Sequence, residues 1–199
     1  MIAIIPAYFI EQTGEMFVLA GSSTEMTLIF AFVVVGCTEE GCKFFMLRTF
    51  AYPKKEFDEP FDGITYSVMV GMGFATLENI MYVSQFGYGN AFLRMFTAIP
   101  AHAAFGIIMG YYTGLAKFAR NPKPLLFQGW LYAALLHGAY DFSLMDQNIP
   151  LITLGAALSL YLGIRFSLKA IRLHQEDSHL RSRNLNEHDQ FFGPGSGEN

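Results

Sequence analysis

Five apolar runs of membrane-spanning length account for most of this chain, at residues 26–50, 61–86, 91–118, 124–145 and 150–172, with short polar breaks between them. A segment crossing lipid needs about 20 apolar residues and must satisfy every backbone donor and acceptor internally, so runs of this length in series restrict the fold to helices. Charged residues make up 15% of the sequence, well under the roughly 25% of a soluble domain. The expected fold class is therefore all-α, a polytopic transmembrane helical bundle of about five full spans plus an N-terminal half-helix. Residues 1–25 form the partial N-terminal helix and an outer loop, 26–172 the bundle, and 173–199 a polar, solvated tail with a linker-like end, Gly193–Asn199. Met1–Ile10 lacks a basic start and is interrupted by Pro6, so it reads neither as a signal peptide nor as a span.

Basic residues orient the bundle. Lys43, Arg48, Lys54 and Lys55 follow the first span, Lys117, Arg120 and Lys123 the third, and the rest end the fifth or lie in the tail. Of the 13 basic residues only Arg94 falls on the other side. The positive-inside rule makes the basic side cytoplasmic, with the C-terminus. The expected location is the cell membrane, multi-pass. The net charge of −4 says little about partners. Lipid is an expected partner and nucleic acid is not. Cys37 and Cys42 lack CxxC spacing and read as small buried residues.

Polar residues interrupt these runs where they are costly. A carboxylate at bilayer depth costs at least about 2.5–3.5 kcal/mol, yet Glu39 and Glu40 lie inside the first span. Glu78 and Asn79 lie in the second, His102 in the third, and His137 and Asp141 in the fourth. Counted inward from the outer ends of their spans, Glu39, Glu78, His102 and His137 all fall about 12–20 Å deep at the helical rise per residue. Four spans thus bring carboxylates and imidazoles to one level, which independent packing residues have no reason to do. Two stripes of small residues, Ser67–Gly71–Ala75–Asn79 and Gly106–Gly110–Gly114, predict close helix packing around that level. Lys43 is placed to neutralise one of the two adjacent glutamates, leaving the other free. Asp141, one turn after His137, can orient its imidazole or share a ligand role.

These residues resemble a known family. Glu39-Glu40-Gly-Cys-Lys43 is similar to the EExxK motif of the PrsW family of intramembrane proteases, and Gly73-Phe-Ala-Thr-Leu-Glu78-Asn79 to its FAxxEN motif. Pro100-Ala-His102-Ala-Ala-Phe-Gly106 and His137-Gly-Ala-Tyr-Asp141 resemble its two histidine motifs. The likeness runs in order from about Pro6 to Arg172. Relatives usually carry further membrane helix upstream, to which only residues 1–10 correspond here. The resemblance implies a peptidase related to the type II CAAX prenyl endopeptidases and the bacteriocin-processing group. It implies a single-pass membrane protein as substrate, cut near the outer side, as with an anti-sigma factor in envelope stress.

Peptide hydrolysis needs an activated water, a polarised carbonyl and an acid for the leaving amine. Glu39, Glu40, Glu78, Asn79, His102, His137 and Asp141 are the expected catalytic set. In a metal version His102, His137 and Glu78 (or Asp141) hold Zn²⁺, and Glu39 or Glu40 is the base. In a metal-free version a glutamate activates water with the help of a histidine, and Asn79 and the other histidine stabilise the oxyanion. Glu40 is the first choice as base in both. Two other functions fit a Glu/His/Asp set: a proton-coupled transporter or channel, and a non-catalytic immunity or binding relative.

Overall fold

Pro60, Gly87 and Pro122 set helix boundaries in the computed structural model, which describes residues 4–18, 23–145 and 153–192. Apart from short connections, the described residues are helical. Helix α1 spans Ile4–Val18, α2 Thr24–Ile29, α3 Cys37–Met46, α4 Pro60–Phe86 and α5 Tyr88–Phe96; α6 spans Ala98–Phe118, α7 Pro122–Met145 and α8 Thr153–Phe192. Two π-helical stretches, Phe30–Gly36 and Leu47–Ala51, make 24–51 one continuous helical run. Pro60 opens α4 within a capping box, where Asp62 accepts from the Glu59 amide at 3.0 Å. Gly87 closes α4 at φ +80°, a conformation glycine adopts without strain.

The antiparallel pair α4/α6 is the frame of the molecule. An ideal Cβ on Gly106 would lie 3.3 Å from the Ser67 carbonyl oxygen, one on Gly110 2.6 Å from Ile64 Cα, and one on Gly114 against Pro60. A Cβ on Gly71 would stand 3.3 Å from the His102 carbonyl oxygen. The two backbones therefore touch turn by turn from Pro60/Gly114 to Gly71/His102, as small residues at four-residue spacing permit. Gly36 makes an equivalent approach to α7, where its Cβ would sit 2.7 Å from the Ala134 carbonyl oxygen. Leu47, Ala101, Phe105, Met109 and Ala133 fill the space between these helices.

Large apolar side chains face outward, and a charged set lies inside the otherwise apolar core. Met69, Phe45, Phe50 and Phe127 are more than half exposed, whereas Glu39, Glu40, Lys43, His102 and His137 are buried.

The structure corrects several expectations. The run at 91–118 is not one helix: Thr97 divides α5 from α6, and Pro100 follows in the first turn of α6. The N-terminal helix continues to Val18 where an outer loop was expected. The tail past residue 172 continues as helix to Phe192. His174, expected in solvated chain, is fully buried and stacks on Tyr111 with centroids 4.5 Å apart. Among the described residues, no helix is long and apolar enough to cross a membrane. Glycines, tyrosines and site residues dilute the apolar content of α4, α6 and α7. The turn expected at 146–150 and the end at 193–199 lie outside the described residues.

Candidate active site

Helix α3 turns Glu39, Glu40 and Lys43 to its buried side, since positions three and four apart share a face. The π-helical stretch just before it helps set that face, because a wider turn rotates everything that follows. The Lys43 ammonium donates to Glu39 Oε2 at 2.9 Å and to Glu40 Oε1 at 2.8 Å. It therefore serves both carboxylates, not one of them as expected. It also lies 3.0 Å from His102 Nδ1. An ammonium can only donate, so His102 Nδ1 accepts and Nε2 bears the hydrogen.

That Nε2 stands 2.9 Å from Glu78 Oε2, at bonding distance but out of line for a full hydrogen bond. The other oxygen of Glu78 accepts from Arg94 Nη2 of α5. Across the site, His137 Nδ1 lies 2.8 Å from Glu40 Oε1, and its Nε2 lies 3.2 Å from Asp141 Oδ2 and 3.9 Å from Glu39 Oε2. A continuous polar chain results, running Arg94, Glu78, His102, Lys43, Glu40, His137, Asp141. Desolvated charges are tolerated only when paired: Arg94 pairs with Glu78, and Lys43 with Glu39 and Glu40, while His102 meets Lys43 as a neutral acceptor. Phe105 stacks on His137 with centroids 5.2 Å apart and walls the chain off from the core.

A cavity of about 130 Å³ opens against this chain, lined by Glu39, Glu78, Arg94, His102, His137 and Asp141. Glu39 faces it, and Glu40, the first choice from sequence, does not. Asn79 does not line it either; its Oδ1 is buried without a hydrogen-bond partner. Six of the seven expected residues thus meet, and Arg94, Tyr82 and Tyr140 join them unforeseen. The signal for Arg94 was its isolation as the single basic residue on its side of the chain. A larger groove of about 580 Å³ between α6, α7 and α8 is walled by apolar and tyrosine side chains, with Lys169 its one charged lining residue.

Glu39, Glu40, His102 and His137 present ligating atoms that all lie within 4.8 Å of one another. Two imidazoles and two carboxylates are a donor set suited to zinc. Glu40 Oε2 is moreover a buried carboxylate oxygen with nothing bonded to it. The residues therefore fit a divalent metal, although Lys43 already takes one lone pair from three of the four. The set differs from the one expected: Glu78 stands outside it, against His102.

A protein-family model described as PrsW family intramembrane metalloprotease matches residues 1–168. The chain is 38% identical to the protease PrsW of Bacillus subtilis over 146 residues, covering 72% of this chain and 65% of that protein. It is 43% identical to the protease PrsW of Geobacillus kaustophilus over 119 residues, 59% of this chain and 53% of that one. Against the protease PrsW of Shouchella clausii the identity is 44% over 115 residues, 57% of this chain and 54% of that one. The chain thus spans between half and two thirds of the length of these relatives. No solved structure matches it. With a family model matching most of its length and relatives at 38–44% identity, the chain belongs to the PrsW family of intramembrane metalloproteases.

Proposed function

We propose that this chain is the catalytic bundle of an intramembrane protease, residing in the cell membrane as a multi-pass protein with its C-terminus cytoplasmic. The observation that carries the proposal is the convergence of Glu39, Glu40, His102 and His137 from three helices on one buried point beside a cavity. Long helices wrapped in exposed Phe, Leu, Ile and Met around a charged interior support the membrane setting, since water would penalise both features. Its substrate is a single-pass membrane protein cut near the outer side, of the anti-sigma-factor kind.

The roles follow from the contacts. Glu39 faces the cavity while Lys43 holds its Oε2, so its other oxygen is available to take a proton from water. Glu40 bridges Lys43 and His137 and fixes both. His137, oriented by Asp141, can give a proton to the departing amine. His102, with Nε2 bearing hydrogen, offers a donor toward the developing oxyanion. Were Lys43 displaced from the His102 Nδ1 lone pair, His102, His137 and a glutamate of the cluster would hold a Zn²⁺ that would instead supply Lewis-acid polarisation of the scissile carbonyl.

The test is reconstitution in proteoliposomes with a panel of terminally labelled single-span peptides and an internal pH dye. Truncated peptide is expected from wild type and none from His137→Ala. Acidification of the lumen with no cleavage would replace the proposal with the proton-coupled transporter.

A further inference from the structure

The cavity at the site is too small for what it is proposed to cut. At about 130 Å³ it is well below the roughly 300 Å³ from which pockets that enclose even a small organic ligand begin. A stretch of polypeptide enters only if part of the wall moves. Most of that wall belongs to α4, α6 and α7, whose backbones are locked together at glycine contacts. Helix α5 is built differently.

It is a short segment between two breaks, Gly87 at φ +80° and Thr97. Gly87 and Gly89 have nothing within 4 Å of where a Cβ would stand, so the turn into α5 is loosely packed. Of the described side chains of α5, Tyr88, Phe92, Met95 and Phe96 are exposed and Arg94 alone turns into the bundle. Its guanidinium bonds Glu78 and lies 3.7 Å from the centre of the Tyr82 ring. Both partners stand on α4. Among the described side chains of α5, Arg94 thus ties this short helix to α4 at the edge of the cavity.

We propose that α5 is the gate of this cavity and that Arg94, through Glu78 and Tyr82, is its latch. Substrate enters when Arg94 leaves Glu78. The released Glu78 carboxylate then faces the opened cavity, so access and the polarity of the site change together. The inference rests on the proposed reaction for its meaning, but its test needs no cleavage and can fail while hydrolysis stands.

The test places a single reporter cysteine at Ala98, a buried cavity-lining residue at the start of α6, in a Cys37→Ala, Cys42→Ala background. Labelling by a membrane-impermeant, sulfonate-bearing methanethiosulfonate is timed in proteoliposomes. Arg94→Gln is expected to raise the labelling rate about tenfold, the shift that follows loss of one charge-assisted hydrogen bond. Glu78→Gln, which breaks the pair from the other side, should do the same. Arg94→Lys keeps the charge without the planar fork and should fall between. Melting curves that match wild type confirm that opening is local. Unchanged labelling in Arg94→Gln, acceleration in only one member of the pair, or acceleration accompanied by global melting overturns the latch.

Discussion

Replacing Gly110 by Ala tests whether the α4/α6 contact sets the geometry of the site. The added Cβ would sit 2.6 Å from Ile64 Cα and 2.8 Å from the Gly63 carbonyl carbon. Carbon atoms in contact settle about 3.5–4.0 Å apart, so the helices must separate by roughly 1 Å. Both obstructing atoms are backbone, and no rotamer change relieves the clash. Overpacking of this kind costs about 1–3 kcal/mol. Its effect at the site is larger. His102 lies two turns along α6 and stands 2.9 Å from Glu78 of α4. A further 1 Å takes that pair beyond hydrogen-bond range, and a misplacement of about 1 Å can cost roughly a hundredfold in rate. The assay is the thermal midpoint in detergent together with cleavage in proteoliposomes. Gly73→Ala is the control, because nothing stands within 4 Å of its Cβ position; it should gain about 0.5–1 kcal/mol from helix propensity and cleave as wild type. Gly106→Ala, 3.3 Å from the Ser67 carbonyl oxygen, should fall between the two. A Gly110→Ala protein that melts and cleaves like Gly73→Ala would refute the reasoning.

Three further outcomes follow from the contacts. Lys43→Met leaves Glu39 and Glu40 buried without their shared cation and should destabilise by about 3–5 kcal/mol; unfolding of the purified protein measures it, and wild-type stability contradicts the pairing. Asp141→Asn removes the charge that orients His137 and should lower cleavage about 10–100-fold with the melting curve unchanged; undiminished cleavage would free Asp141 of that role. His174→Ala removes a fully buried ring stacked on Tyr111 and should cost about 2 kcal/mol. Hydrogen exchange along α8 should then rise from about residue 165 onward, and unaltered protection there would show that this contact does not hold the helix.

Much of this architecture could be read from the sequence because helix geometry leaves few alternatives. The apolar runs at 61–86 and 124–145 marked α4 and α7, the four-residue spacing of Gly106, Gly110 and Gly114 marked the α4/α6 contact, and depth counting put Glu39, Glu78, His102 and His137 at one level. The break at Thr97 escaped notice because Phe92, Leu93, Met95 and Phe96 keep the run apolar across it, and hydropathy does not register a hinge. The helix beyond residue 172 escaped for the converse reason: its residues are polar, and a polar helix looks like a solvated tail until His174 is seen docked on Tyr111. Which of Glu39 and Glu40 faces the cavity could not be read at all. Adjacent helical residues point about 100° apart, and the π-helical stretch at Phe30–Gly36 shifts the face by an amount the sequence does not encode visibly.

The central claim is that the carboxylate facing the cavity performs the hydrolysis while its neighbour holds the frame. Cleavage of a labelled single-span peptide by Glu39→Gln, measured in proteoliposomes against wild type at equal amounts of folded protein, tests it most directly. Product formation should fall to background with the melting curve intact. Glu39→Gln cleaving at the wild-type rate would contradict it.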